Sequence, residues 1–539
     1  MKTLLISINA KYIHTNNAVR LLKANSDFDI DIFEYTIKDN IKDIIEDIKT
    51  YAPDILGFSV YIWNVEIVKE IVLSLSLPNT TIILGGPEVS YETSHFMNTL
   101  PIDYIISGEG ELSFNSLLHS IKDNTSKNTL PNLTYRENNK IKHTPLLEIE
   151  DLNTVTLPYY FEEDIPHIKN KISYIESSRG CPYKCSYCLS SLEKGVRFFD
   201  IEKVKEAILY LMNHGSKTIK FLDRTFNANK KTLELMKFII DHNNNQTVFQ
   251  FEITGDILDP KIIEYLNNNA PKGLFRFEIG IQSINYETNY LVDRFQNTEK
   301  LFQNIKMIQD KNIIDLHLDL IAGLPKEDLE SFKNTFNTVF KLNAKELQLG
   351  FLKMLRGTKI RLEADKYNYL YQQTSPYQII SNDFLTEQEI DQIHQVEHML
   401  EIYHNKGYFK EEMAKILTSK DNPFDFLLEI SSHYKTNNYS LSHYQVEDVY
   451  KRVMPLLNQE EQYNILKDYL RRSKVKPKIF FDVVSKEERK TLYERLSIKH
   501  GIQERKLYKN SITIENNKEY YTVLYHDLTH TVFQTKKEE

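Results

Sequence analysis

Residues 179–188 read Arg179-Gly180-Cys181-Pro182-Tyr183-Lys184-Cys185-Ser186-Tyr187-Cys188, and this run holds every cysteine of the 539-residue chain. The spacing is C-x3-C-x2-C. Three thiolates on one short loop can each take one iron of a cubane [4Fe–4S] cluster, which most proteins ligate with four cysteines. The missing fourth leaves one iron open to a substrate or cofactor. A zinc ion would need a fourth ligand, and only a remote histidine could supply it. An odd, clustered set does not make a disulfide framework.

The run leaves the carboxyl end of a strand expected at 172–176. Five further strand–helix units follow it, with strands at 218–221, 248–253, 274–281, 315–321 and 346–351. Six such units are too few for a closed eight-stranded barrel and suit an open, partial (β/α)6 TIM barrel. Chemistry in barrels sits at the carboxyl ends of the strands, where the cysteine loop stands.

Working outward, residues 1–125 alternate strands (3–8, 29–35, 55–61, 81–84, 104–106) with helices (16–24, 41–51, 65–75, 91–100, 111–123). This order predicts an α/β domain with a doubly wound, Rossmann-like sheet, whose ligands bind outside the carboxyl ends of its strands. A hairpin is expected at 132–136 and 140–144 around Glu137-Asn-Asn, and Leu157-Pro-Tyr-Tyr reads as linker. Residues 380–475 read as helical, entered through Thr386 as N-cap with Glu389 three positions on. Strands are expected at 479–484, 506–515 and 520–525. Chain length suggests three domains.

A hydrophobic content of 41% suffices for ordinary globular cores. A net charge of −8 argues against a broad nucleic-acid or membrane footprint. The basic run Arg471-Arg-Ser-Lys-Val-Lys-Pro-Lys reads as solvated surface rather than an RNA site. No stretch approaches the roughly 18 apolar residues of a membrane span, and the opening apolar run is too short for a signal peptide. A soluble cytoplasmic protein without membrane contact is expected.

With an aromatic residue, Tyr187, before its last cysteine, the loop on its barrel strand resembles the radical S-adenosylmethionine (SAM) superfamily over about residues 171–352. The resemblance implies that Cys181, Cys185 and Cys188 hold the cluster and that backbone at Tyr187 contacts the adenine of SAM. The superfamily often carries Gly-Gly-Glu after the second strand. This chain has Lys220-Phe-Leu-Asp-Arg-Thr-Phe, so Asp223 is the substitute acceptor for the amino group of SAM and Arg224 the partner of its carboxylate, unless the two form a structural pair. Glu252, in Phe249-Gln-Phe-Glu-Ile-Thr, matches positions near the cofactor. In Phe277-Glu-Ile-Gly-Ile-Gln-Ser-Ile-Asn, Gly280 permits close approach, and Gln282 and Ser283 are candidates for ribose or substrate. Apolar residues of His317-Leu-Asp-Leu-Ile-Ala-Gly-Leu-Pro flank the adenine. Plain barrel packing is the competing reading for each.

Three loops of the front domain face one crevice: Ser59-Val-Tyr61-Ile-Trp63-Asn, Leu84-Gly85-Gly86-Pro87-Glu-Val-Ser and Ser107-Gly108-Glu109-Gly-Glu. In this order, upstream of the cysteine run, they resemble the cobalamin-binding domain of cobalamin-dependent radical SAM enzymes. The resemblance implies that Ser59, Tyr61, Trp63, Gly85, Gly86, Pro87, Gly108 and Glu109 line the corrin. The Asp-x-His-x-x-Gly cobalt-ligand motif of many cobalamin proteins is absent. Asn9-Ala-Lys-Tyr-Ile-His-Thr stands in its place, with His14 as a cobalt ligand, a packing residue or a substrate contact. Residues from about 365 resemble a domain of unknown function attached to such enzymes.

The implied organisation is a cobalamin-binding domain at 1–150, a radical SAM barrel at 165–360 and a mostly helical, mixed accessory domain at 365–539. The implied activity is reductive cleavage of SAM, hydrogen abstraction from an unactivated carbon and methylation from methylcobalamin. Its reductant would be a flavodoxin or ferredoxin. Radical cyclisation or rearrangement of a small molecule or tetrapyrrole keeps the cofactors and changes the product; a non-catalytic cobalamin or redox sensor keeps neither turnover nor product. The methylthiotransferases of tRNA carry three more cysteines in front, which this chain lacks. The substrate is not legible, and its pocket is expected to be mostly apolar.

Overall fold

The computed structural model describes residues 1–409 and 411–537. The last two residues of the expected 365–539 domain lie outside them. The chain forms two compact units, Met1–Leu329 with Leu349–Glu387, and Glu330–Gln348 with Gln388–Glu539. The front sheet and the strands that carry the cysteine loop belong to the first.

The front sheet contains β1 (Thr3–Asn9), β2 (Ile30–Thr36), β3 (Ile55–Ser59), β4 (Thr81–Gly85), β5 (Tyr104–Ile106), β6 (Leu133–Glu137) and β7 (Lys140–His143), in the order β2-β1-β3-β4-β5-β6-β7. The first five run parallel and the hairpin β6–β7 adds on antiparallel. β1 is buried at all seven positions, which is why Leu4, Leu5 and Ile6 follow one another instead of alternating with polar residues. On one face, Leu4, Ile6, Leu56 and Leu84 meet Ile44, Val68 and Phe96 of the helices Ile41–Tyr51, Val65–Ser74 and Thr93–Thr99. On the other, Leu5 and Ile83 meet Val19, Phe114 and Leu117 of Asn17–Ala24 and Glu111–Lys122. The strand order reverses between β1 and β3, which opens the ligand crevice at their carboxyl ends.

The second sheet starts with β8 (Ser173–Ile175). A small antiparallel ribbon, β9 (Ser178–Gly180) and β10 (Val196–Phe198), brackets the cysteine run. β11 (Thr218–Phe221), β12 (Val248–Ile253), β13 (Phe275–Gln282), β14 (Asp315–Ala322) and β15 (Glu346–Phe351) complete a six-stranded sheet, β15-β14-β13-β12-β11-β8. It is parallel from β8 to β14. One face is a stack of apolar rings, Phe221, Phe249, Phe251, Phe275 and Phe277, fully buried.

The short pair β16 (Leu370–Tyr371) and β17 (Ile379–Ser381) follows. The helix Glu387–Leu400 begins directly after Thr386, as its capping sequence predicts. Two expectations for the tail are corrected. Residues 479–484 form no strand: Phe480 and Phe481 pack on the Tyr469 ring instead, and Pro477 removes a backbone donor just before them. Residues 506–510 continue the helix Glu504–Asn510, so the strand β18 is only Ser511–Glu515. With β19 (Glu519–Tyr525) it joins β20 (His530–Lys536) in an antiparallel sheet. β20 escapes a sequence reading because Phe533 is its one buried side chain. No helix among the described residues is long and apolar enough to cross a membrane.

Candidate active site

The cysteine loop is tied down at its backbone. Ser186 N–H donates to Val292 O at 2.9 Å, Ile360 N–H donates to Ser186 O at 3.0 Å, and Cys188 N–H donates to Cys185 O at 3.0 Å. All three thiols are free; Cys185 is buried, and Cys181 and Cys188 are half-buried. Cys181 Sγ lies 3.7 Å from Thr225 Oγ1. Arg294 Nη1 lies 3.8 Å from Cys185 Sγ and 3.4 Å from the Tyr187 hydroxyl. Burial pushes the Cys185 thiol up, and the Arg294 guanidinium pulls it back down. Burial opposes the charge of Arg224, but Glu252, Cys188, Glu193 and Cys181 hold it above its ordinary range. Two guanidinium groups thus flank a trio of soft sulfur donors, and the Arg294 charge partly offsets the burial that raises the Cys185 thiol. Among the described residues no histidine joins the thiols in a single-ion ligand set.

The strand ends above the barrel sort the sequence-predicted residues. Asp223 is turned inward, 1% exposed, and accepts from Ser177 N–H at 2.9 Å and from the Ser177 and Ser178 hydroxyls. Its oxygens are occupied. Burial pushes its carboxyl up to about 6 against these donors. Arg224 turns to Glu252, at 3.7 Å, rather than to Asp223. Ser283 is also committed, donating to Glu327 and accepting from Asn285 N–H at 3.0 Å. Gln282 differs. Its backbone sits in the left-handed region at φ 66°, rarely adopted by a non-glycine residue, and its Oε1 is buried without a hydrogen-bond partner. A Cβ on Gly280 would fall 2.3 Å from the Gln282 carboxamide nitrogen and 3.8 Å from Arg294 Nη2, so the carboxamide lies over Gly280 beside Arg294. An orphaned acceptor, a guanidinium and a carboxylate next to the cysteine loop fit a zwitterionic cofactor with a ribose.

In the front crevice, the Tyr61 and Trp63 rings stack at 4.4 Å, 6° apart. Trp63 Nε1 donates to Ile8 O at 3.1 Å, fixing the pair across β1 and β3, while 43% of Trp63 remains exposed. Burial, with Glu176 nearby, pushes the Tyr61 hydroxyl up to about 12. Gly86 has φ +112°, and a Cβ there would meet Val60 O at 2.5 Å; only glycine lets loop 85–87 close on the β3 end. Gly108, φ +69°, faces open space. A partly exposed aromatic stack and glycine turns at the ends of one sheet suit a large planar ligand. Ser59 Oγ accepts from Asn16 Nδ2 at 2.9 Å. His14 Nδ1 lies 2.7 Å from the Tyr174 hydroxyl on β8, so that nitrogen serves a contact to the barrel; burial, Lys11 and Lys220 push the imidazole pKa down.

Glu109 joins the two regions. Arg179, two residues before Cys181, meets Glu109 at 3.2 Å, Glu111 at 2.6 Å and Glu176 at 2.8 Å, all of them largely buried. Arg197 reaches Glu109 at 2.8 Å from β10. Arg20 similarly holds Glu34 at 2.8 Å and Asp164 at 2.6 Å, and Arg356 holds Glu88 at 2.9 Å. Sequence reasoning missed Arg294, Thr225, Arg179 and Arg356. Arg179 stands in the cysteine run and Thr225 in Lys220-Phe-Leu-Asp-Arg-Thr-Phe, yet neither residue type announces a ligand there; Arg294 and Arg356 stand in no motif, and Arg294 is 109 positions from the sulfur it approaches. The inner barrel face presents charged groups, Lys220, Glu252, Arg276, Glu278 and Asp319.

Known proteins place this geometry. The profile of the Radical SAM superfamily matches residues 175–339, a B12 binding domain profile matches 4–118, and a protein of unknown function profile, DUF4080, matches 365–538. An uncharacterized methyltransferase of Pyrococcus horikoshii is 26% identical over 62% of this chain and 74% of its own length. The cobalamin-dependent radical SAM methyltransferase TokK of Streptomyces tokunonensis is 22% identical over 54% of this chain, which spans only 45% of that protein. The anaerobic magnesium-protoporphyrin IX monomethyl ester cyclase of Synechocystis is 27% identical over 44% of this chain and 49% of its own length. Among solved structures, the cobalamin-dependent SAM radical enzyme OxsB shares the fold with a TM-score of 0.62 at 15% identity, over 87% of this chain and 79% of that one. The radical SAM methyltransferase TsrM from Kitasatospora setae shares it with a TM-score of 0.57 at 16% identity, over 70% and 76%. The sulfur trio, the crevice beside it and these profile matches give the chain a radical SAM domain and a B12 binding domain, whose cofactors are a [4Fe–4S] cluster with SAM and cobalamin.

Proposed function

We propose that this protein methylates an unactivated carbon of a small molecule. The observation that carries the reading is Arg179, which bonds the base of the cysteine loop to Glu109 and Glu111 of the front crevice. That tie keeps the two cofactor regions side by side, as transfer between them requires. The methyltransferase relatives from Pyrococcus and Streptomyces support the same reaction class. When bound, the cofactors supply reductive cleavage of SAM to a 5′-deoxyadenosyl radical and a cobalt-borne methyl group.

The residues divide the work. Cys181, Cys185 and Cys188 hold three irons. Arg294 and Gln282 orient the SAM carboxylate and ribose, Glu252 accepts from its amino group with Arg224 balancing the charge, and backbone at Tyr187 borders the adenine. Tyr61, Trp63, Gly85, Gly86, Pro87 and Gly108 border the corrin. Ser59, Asp223, Ser283 and Glu109 brace these groups. The assignment uses a cobalamin domain at 1–150, a radical SAM domain at 165–360 and an accessory domain at 365–539, with electrons from a flavodoxin or ferredoxin.

The test is anaerobic reconstitution of the full chain with iron, sulfide and cobalamin, followed by turnover with methyl-deuterated SAM. A product carrying one labelled methyl group is expected. Turnover to a product without an added carbon would favour cyclisation, the reading that the Synechocystis relative supports. Failure to form 5′-deoxyadenosine under reduction would leave only a sensor.

A further inference from the structure

The inner face of the barrel has a chemistry that the cofactors do not require. Parallel registers put Tyr174, Lys220, Gln250 and Arg276 on one level and Glu278 with His317 on the next. Lys220 Nζ donates to Glu278 Oε2 at 2.7 Å. Arg276 Nη2 lies 2.6 Å from His317 Nδ1, and Arg276 Nε lies 3.9 Å from Glu278 Oε1. His317 Nε2 lies 3.0 Å from Asp319. At the β8 edge, Tyr174 continues this polar belt to His14 in the loop after β1.

The belt borders space rather than plugging it. Phe221 and Phe249, which flank these positions on the opposite face, are 0% exposed. The Lys220 and Arg276 side chains retain 23% and 27%. The phenylalanine face is closed, so this accessible area belongs to the charged face. An apolar guest entering there would strip water from charged groups without replacing its hydrogen bonds, which is costly. A guest with a negative group would replace them. An ammonium carries three donors, and Glu278 takes one of those on Lys220.

We propose that the barrel interior selects a water-soluble, anionic small molecule, with a carboxylate or phosphate placed on Lys220, and rejects acyl-chain and isoprenoid lipids. This deepens the function proposed above and rests on that reading, to which it adds that the substrate sits inside the barrel. Arg276, Glu278 and His317 then set the position of the charged end, leaving the carbon to be attacked toward the strand ends where the cysteine loop stands.

The test uses the full reconstituted protein and two probes, a uniformly 13C-labelled water-soluble metabolite extract and a lipid extract of the same cells. Each is equilibrated with the protein, unbound material is removed by gel filtration, and retained compounds are identified by mass spectrometry. The native protein is expected to retain an anionic metabolite. Lys220→Met should retain it at least tenfold less while holding native amounts of iron and cobalamin, and Lys220→Arg should restore most of it. If Lys220→Met loses its cofactors, Lys220→Gln, which can still bond Glu278, takes its place. Retention of no anionic metabolite, equal retention by the neutral variant, or retention of lipid instead overturns the proposal. Methyl transfer is not read here, so failure of this assay and failure of the labelled-methyl assay are separate results.

Discussion

The front crevice and the barrel interior use opposite means to prepare a ligand site. In the crevice, the sheet is apolar on both faces, and what it offers at its strand ends is shape: the Tyr61–Trp63 platform and the left-handed glycines Gly86 and Gly108. In the barrel, one face is a stack of phenylalanines and the other is charged. A large planar ligand gains from backbone approach and ring contact, whereas a small one is recognised by a few charged groups. Between the two lies the Arg179 cluster, which ties the cysteine loop to Glu109 and Glu111.

The largest expected effect tests whether the two sites load independently. Cys185→Ala should remove the iron–sulfur absorbance and lower 5′-deoxyadenosine formation at least a thousandfold, with cobalamin still bound. Parallel loss of cobalamin, read in the same spectrum, would make the regions one site. Arg179→Met attacks the tie. It leaves Glu111 and Glu176 buried without their cation and Glu109 with Arg197 alone, a change of about 3–5 kcal/mol, read as a lowered denaturant midpoint at unchanged slope.

A comparable effect comes from Asp223, whose carboxyl is raised to about 6 by burial. A raised acid binds its proton more tightly when folded, so its contribution to stability is fully present below pH ~4 and is lost as pH rises through about 6. The loss is on the order of 3 kcal/mol. In the apoprotein, Asp223→Asn should flatten the pH dependence of unfolding in that window; an unchanged slope would remove Asp223 as its source. Gly86→Ala should cost about 1–3 kcal/mol through its backbone conformation and the contact with Val60, seen as a lower melting temperature and weaker cobalamin retention. Trp63→Ala removes the platform together with its bond to Ile8 O. It should weaken cobalamin binding roughly fivefold, a change of about 1 kcal/mol, and lower stability by a similar amount, about 1 kcal/mol.

Much of the fold was legible because its signals are local. Ile41–Tyr51, Tyr104–Ile106, Thr218–Phe221, Val248–Ile253 and Glu346–Phe351 fall at the bounds the residue pattern predicts. Strand–helix alternation is written in short apolar runs, and Cys181, Cys185 and Cys188 declare themselves by spacing. The tail was less legible. Its aromatic run at 479–484 has the composition of a strand, yet the rings are used for packing on Tyr469. β20 forms with a single buried side chain, because pairing to β19 rather than burial places it.

The sequence by itself determined which parts this protein has: a sulfur trio, a parallel sheet with glycine turns ahead of it, and a partial barrel beneath. These follow from spacing and periodicity over a few residues. Only the tertiary structure decided which carboxylates are open and which are spoken for. Asp223 and Glu109 look like ligand groups in the chain and are bound by serines and arginines in the fold. Arg294 looks ordinary and stands on a cysteine. A carboxylate or a guanidinium is defined by its nearest opposite charge, and in a sheet built from parallel crossovers that partner comes from a strand or loop tens of residues away.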